Sequence, residues 1–239
     1  MTQTDRELFY EQGYFFRHAM FTPAEIDELL EHIDPFVKAH QSHLETVGAE
    51  SISRSQEISF TLLLAEKDPW IREFVRQPRL AEIAASILGP DVQLYWDQAV
   101  YKYPGTPRDF PWHQDNGYGQ VFPETYLSCW LAMEDAYIEN GCIWVLPNTH
   151  KQGLVPHQDT DIGKQCYFGD EPGLPIELKK GSLALFSSLL FHRSGPNLSD
   201  NVRKGYIIQY AQAGVREKDS GKLLGRIEVA QGGQPVDRD

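Results

Sequence analysis

The stretch Ile87-Leu88-Gly89-Pro90-Asp91-Val92-Gln93-Leu94-Tyr95-Trp96-Asp97-Gln98-Ala99-Val100-Tyr101-Lys102-Tyr103 separates two kinds of pattern. Before it, apolar residues recur every three or four positions, the spacing of one helix face. Gly89-Pro90 stops that pattern, because glycine suits a helix end and proline cannot continue the helix. After it come aromatic and branched residues, which suit a pleated, half-buried surface. Working backwards, a helix is predicted from about Pro78 to Leu88, with Leu80, Ile83, Ala84 and Ile87 inward. Asp68-Pro69 opens a shorter one carrying Trp70, Ile71, Phe74 and Val75. Thr22-Pro23-Ala24-Glu25 combines a threonine cap, an early proline and a capping-box glutamate. Ile26, Leu29, Leu30 and Ile33 follow it at helical spacing. Residues 5–13 read as a short helix ending at Gly13, Tyr14-Phe15-Phe16 as a brief strand, and the polar stretch 38–56 as loop.

Working forwards, strands are predicted over Val92–Tyr103, Tyr126–Met133, Cys142–Leu146, Ile176–Leu178, Leu183–Phe191 and Val202–Ala211. Helices followed by many short strands predict a mainly β sandwich or barrel buttressed by N-terminal helices. The 239 residues suit one domain: helical support over 1–90, a β core over 91–215 and a C-terminal tail over 216–239, frayed from about Gln231. The glycine- and proline-rich segment 153–175 is a long loop and the expected lid.

A net charge of −12 without a basic cluster argues against nucleic acid and anionic membranes as partners. No apolar run is long enough to span a bilayer, and Met1-Thr2-Gln3-Thr4-Asp5 lacks the features of a signal peptide. The three cysteines, Cys129, Cys142 and Cys166, have no metal-binding spacing. Their sparse use suits a reducing, cytoplasmic setting.

The chemistry points to His113-Gln114-Asp115. On a strand, residues i and i+2 share a face, so His113 and Asp115 can enter one cavity. With His192 they form the two-histidine, one-carboxylate set of non-haem Fe(II) oxygenases. Taken alone, the pair fits a surface turn equally well, and His192 fits the rim of a core. Arg203 shares a strand face with Gly205, Ile207 and Gln209. A guanidinium on such a face needs a partner, either a dicarboxylate cosubstrate or one of the chain's own acids. His150 is a competing ligand, read as structural, and His157 is read as solvated. Trp112, Tyr118 and Trp130 are candidates to line the cavity. Gln98 and Lys102 share a face with Leu94, Trp96 and Val100, where they could meet a ligand carboxylate or simply mark a sheet edge.

Tyr101-Lys102-Tyr103-Pro104-Gly105, Trp112-His113-Gln114-Asp115, Trp130–Ala136, Glu139–Pro147, Gly181-Ser182-Leu183 and His192–Ser199 together resemble the phytanoyl-CoA dioxygenase family. The resemblance covers nearly the whole chain, in order. It implies a double-stranded β-helix, the cupin-like jelly roll, with Fe(II) and 2-oxoglutarate in its mouth and O2 as second cosubstrate. By position it implies His113, Asp115 and His192 as metal ligands. Arg203 and Ser194 match residues that hold the far carboxylate of 2-oxoglutarate, and Trp130 matches one lining its pocket. Gln98 is placed with the cosubstrate, and Trp112, Tyr118 and Lys102 with the substrate. The expected activity is hydroxylation of a small molecule. Desaturation, cyclisation or epimerisation at the same iron is the alternative. A non-catalytic metal-binding sensor and a cupin-type isomerase are the readings from other classes, neither of which needs Arg203. Oligomeric state is open.

Overall fold

A computed structural model describes residues 4–225 and 227–236. Residues 1–3, which enter the signal-peptide reading, and 226 and 237–239 of the expected tail lie outside it. The chain opens with α1 (Asp5–Glu11), β1 (Tyr14–Arg17) and α2 (Pro23–Val47). Thr4 and Thr22 cap the two helices alike: each hydroxyl accepts from the N–H three residues on, and the glutamate there reaches back. Then come β2 (Ala49–Glu50), β3 (Ser53–Arg54), β4 (Ile58–Leu62), α3 (Leu64–Lys67), α4 (Pro69–Val75) and α5 (Pro78–Leu88). Asp68 caps α4 by accepting from the N–H groups of Trp70 and Ile71.

The segment 38–56 is therefore not loop. Its first half extends α2 to 25 residues, and its second half is the β2–β3 hairpin, followed by a strand that the sequence reading passed over. The buried stripe Ile33, Val37, Gln41, Leu44 continues at helical spacing, but a polar residue at one of its positions disguises it.

From Val92 onwards the chain is β: β5 (Val92–Lys102), β6 (Phe110–His113), β7 (Val121–Phe122), β8 (Leu127–Ala132), β9 (Ile143–Leu146), β10 (Gln158–Thr160), β11 (Gly163–Gln165), β12 (Leu174–Ile176), β13 (Leu183–Ser187), β14 (Phe191–Ser194) and β15 (Arg203–Gln212). After these, β16 (Arg216–Glu217), β17 (Ile227–Gln231) and β18 (Gln234–Pro235) occupy the stretch expected as a C-terminal tail, with β18 in the part expected to fray. There β17 pairs with β5 and buries Val229 completely.

Two antiparallel sheets face each other. The larger runs β1-β13-β8-β15-β5-β4-β3-β2, and the smaller runs β12-β9-β14-β6. One face of the large sheet, including Leu127, Cys129, Leu131, Leu183, Leu185, Tyr206 and Ile208, packs on the helices. Its other face offers Trp130, Ala132, Ala184, Phe186 and Ile207 to Ile143, Val145 and Ile176 of the small sheet and its neighbours. The large sheet is thus covered on both sides, which explains why its strands read as nearly continuous apolar runs. The result is the expected jelly roll with helical support.

Two local corrections bear on the site. Leu183–Phe191 is not one strand: the turn through Ser188 and Leu189 carries the chain from the large sheet to the small one. His192 consequently lies within β14. In β5 a bulge at Tyr95 shifts the register against β15, so Trp96 pairs with Gln209 but Leu94 with Tyr210. Leu94 therefore faces the helices, away from Trp96 and Gln98. Among the described residues no helix is long and apolar enough to cross a membrane.

Candidate metal centre and the cavity around it

His113 ends β6, and its register partner on β14 is His192. Residues directly opposite on antiparallel strands point to the same face, and the two imidazole centroids lie 4.1 Å apart. The strand stops there, and Asp115 opens a short 3₁₀ turn that brings its carboxylate back towards the rings. Asp115 Oδ1 lies 3.4 Å from His192 Nε2 and 3.9 Å from His113 Nε2. One donor atom from each residue falls within 4.8 Å of the others, the single such cluster among the described residues.

Both rings are oriented by their own backbone. His113 Nδ1 lies 2.7 Å from Pro111 O and His192 Nδ1 3.0 Å from Leu190 O. A carbonyl only accepts, so each Nδ1 carries the proton and each Nε2 presents its lone pair to the centre. Burial, followed by the charge of His192, pushes His113 down to about 3, which keeps it neutral. Burial pushes Asp115 upwards, but His192, His113 and the Ser128 hydroxyl outweigh it and hold the carboxyl at about 2. Ser128 donates to Asp115 Oδ2, the oxygen turned away from His192. Two imidazoles, each turning Nε2 inward, and one carboxylate converge on a point and form a donor set that fits a divalent iron.

The centre opens into a cavity of about 860 Å³. Arg203, Ser194, Trp130, Gln98 and Tyr118 all line it, as expected. Arg203 is 1% exposed, and its one hydrogen bond to the chain is from a guanidinium N–H to Val100 O at 3.3 Å. Its Nε is buried without a partner. No acid pairs with it among the described residues, so the reading that paired it with one of the chain's own carboxylates fails. A buried guanidinium left in that condition fits an anionic ligand. The ring of Trp130 lies 5.4 Å from Arg203. It fits because Gly205 lacks a side chain: a Cβ there would lie 2.6 Å from Trp130 Cζ2.

Lys102 was expected in the substrate pocket but stands directly across from Arg203 on the neighbouring strand. It is buried, donates to Gly195 O and lies 3.4 Å from Ser194 Oγ. Burial and the nearby Arg203 push it down to about 7. Trp112 was expected in the pocket too, but adjacent strand residues face opposite ways. It lies outside the small sheet with Leu146 and Phe191, and Arg193 sits 5.2 Å above its ring. Tyr118 packs edge-on against His113, with ring centroids 5.4 Å apart.

His150 is structural, as read, with Nε2 3.0 Å from Tyr10 O. His157 is not a solvated residue: its Nε2 accepts from Gln114 N–H at 3.0 Å, beside the metal ligands. Gln114, passed over in the motif, is fully buried. It donates to Gly153 O and Leu189 O and accepts from Val155 N–H, tying three segments together. The segment 153–175 contributes no residue to the cavity lining. The mouth is instead built by the end of α2, the β2–β3 hairpin and β4, including His40, His43, Glu50 and Ile52. The lid expected at 153–175 is thus misplaced.

The profile of the phytanoyl-CoA dioxygenase family matches residues 9–205. The chain belongs to that family. The phytanoyl-CoA dioxygenase family is one of Fe(II)- and 2-oxoglutarate-dependent oxygenases. A phytanoyl-CoA dioxygenase of Arabidopsis thaliana is 29% identical over 158 residues, which cover 63% of this chain and 55% of that protein. The chain thus spans about half the length of this curated relative. Among solved structures, the α-ketoglutarate-dependent carbocyclase SnoK from nogalamycin biosynthesis matches with a TM-score of 0.74 and 18% identity, covering 97% of this chain and 96% of SnoK. EvdO2 from Micromonospora carbonacea var. aurantiaca, complexed with 2-oxoglutarate, matches with a TM-score of 0.69 and 20% identity, covering 92% and 94%. At these identities the likeness is one of fold.

Proposed function

We propose that this chain is an Fe(II)- and 2-oxoglutarate-dependent dioxygenase that hydroxylates an unactivated carbon of a small molecule, releasing succinate and CO2. One observation carries the reading: three convergent donors and an unpaired, buried guanidinium share one cavity. His113, His192 and Asp115 would hold the iron. Iron with 2-oxoglutarate and O2 supplies the oxidising chemistry that no side chain offers. The chain supplies position, charge and exclusion of water. Arg203 takes the far carboxylate of the cosubstrate, Lys102 adds a second positive charge behind it, and the Ser194 hydroxyl, beside Lys102, lines the same cavity. Trp130 bounds the cosubstrate's carbon chain, with Gln98 on the same wall. Phe110, Phe186 and Ile207 add apolar surface to the lining.

The substrate is a free small molecule, not a CoA thioester. Several phosphates need several cations; among the described lining residues Arg203 is given to the cosubstrate and Arg193 is paired with Asp109, which leaves Lys67 as the remaining lysine or arginine. A second reading keeps this iron site and ends in desaturation or ring formation, since a carbocyclase shares the fold. Product mass separates them: hydroxylation adds an oxygen, whereas the alternatives remove two hydrogens. The clamp is tested by calorimetric titration of the iron-loaded protein with 2-oxoglutarate. Arg203→Ala should weaken binding at least about thirtyfold, the lower end for breaking a buried charged pair. Unchanged affinity would place the clamp elsewhere.

A further inference from the structure

The cavity that holds the metal ligands ends, at its mouth, in a second group of polar side chains. Given the oxygenase reading, on which this inference rests, that group bears on the substrate. His40 and His43 stand one turn apart near the end of α2, and both direct Nε2 towards Glu50 Oε2, at 3.4 and 3.9 Å. His40 Nδ1 lies 3.1 Å from Thr61 Oγ1 on β4. Lys67 ends α3, donates to Leu62 O at 2.7 Å and acts on His40 through its charge. All five side chains line the cavity. Between them and the metal the walls are largely aromatic, with Phe60, Tyr95, Trp96 and Tyr118.

Two imidazoles thus face one carboxylate, with Lys67 close to His40 as a third basic group. That carboxylate is weakly held in place: Glu50 is 56% exposed, on a strand of two exposed residues reached through Gly48 at φ +79°. Apart from Arg203, two deeper polar side chains already have partners within the chain. Gln98 accepts from Trp96 Nε1 at 3.2 Å, and Gln209 donates to Ser128 at 3.3 Å. Arg193, also on the lining, is paired with Asp109. Apart from Arg203, its neighbour Lys102 and the metal centre itself, the mouth is where basic groups outnumber acids among the described residues of this cavity.

We propose that His40, His43 and Lys67 recognise a carboxylate at the outer end of a ring-bearing, mainly apolar substrate, and that Glu50 occupies their site until substrate displaces it. Exchange of one carboxylate for another keeps the largely buried His40 imidazole paired throughout, so entry does not leave that donor without a partner. Release of Glu50 frees the β2–β3 hairpin, which forms one side of the mouth.

The test uses the full chain with Fe(II) under nitrogen and saturating 2-oxoglutarate, so that probe carboxylates do not compete at Arg203. The probes are 2-naphthylacetate, its neutral amide and the matching naphthyl phosphonate, titrated by tryptophan fluorescence. The acetate should bind about tenfold more tightly than the amide, the scale of a charged hydrogen bond. Glu50→Gln should strengthen the acetate and leave the amide unchanged. His40→Gln with Lys67→Gln should remove the preference and leave the amide unchanged. Equal affinities for acid and amide in the wild type, no binding of either, or a preference that survives the double variant would each overturn the proposal. Binding of the phosphonate without the acetate would overturn the assignment to a carboxylate. Glu50 is exposed, so its variant remains informative even where the double variant folds poorly. Failure of the oxygenase reading shows separately, as no absorption band on adding Fe(II) and 2-oxoglutarate before any probe. The same titration then still reads the mouth.

Discussion

Ser128 shows how a buried hydroxyl can set the geometry of a metal site. It receives Gln209 and donates to Asp115, leaving one carboxylate oxygen free to face both imidazoles. Ser128→Ala should lower iron affinity by roughly tenfold to a hundredfold, the usual effect of losing such a partner, with the fold intact. Chelator competition measures it, and unchanged affinity would remove Ser128 from the site. Lys102 gives a pH prediction. Its ammonium stands at about 7 because of burial and Arg203, with Arg193 and Arg108 adding to the depression and Asp109 opposing it. A bound dianion restores the charged form, so at pH 8 binding of 2-oxoglutarate should take up as much as about one proton, and affinity should fall from pH 7 to 9. Calorimetry in two buffers of different ionisation enthalpy reads this uptake, and its absence would refute the role. The four residues His113, Asp115, His192 and Arg203 were legible mainly through the family resemblance of the segments that carry them; strand spacing alone does not place Asp115, which lies in a 3₁₀ turn beyond the end of β6. Ser128, Gln114 and His157 were not legible, since their partners lie on segments that only the fold brings together. Trp112 was misassigned against a parity that the sequence itself contained.

At the scale of elements, β15 and β8 approach closely enough that Trp130 lies over Gly205. Gly205→Ala should cost about 1–3 kcal/mol through overpacking and weaken 2-oxoglutarate by displacing the indole. A melting curve and a titration decide it, and no change in either would contradict the packing. Gln114 joins the metal-binding turn to residues 153–155 and to the turn between β13 and β14. The break between those strands lies inside an apolar run, so sequence pattern cannot mark it: a strand that changes sheets stays buried throughout. The end of α2 was hidden for the opposite reason. Gln41 fills a buried position in its stripe, and polarity was read as exposure.

For the whole molecule, the order of patterns was enough for the fold class. Helices before strands point to a mainly β sandwich or barrel with helical support, and the family resemblance narrows that to a jelly roll. The C-terminal strands escaped notice because they are short and largely polar, yet Val229 and Ala230 complete the core against α5 and β5. Ending the chain at residue 215 should therefore lower stability by about 3 kcal/mol, from the apolar side chains uncovered. Denaturant unfolding measures this, and an unchanged midpoint would make the segment dispensable. The convergence of distant side chains on one ion is the claim on which the function rests, and anaerobic absorption spectroscopy tests it most directly. With Fe(II) and 2-oxoglutarate, the wild type and His150→Ala should show the visible charge-transfer band of a chelated cosubstrate, and His192→Ala should not. A band retained in His192→Ala and lost in His150→Ala would contradict the account.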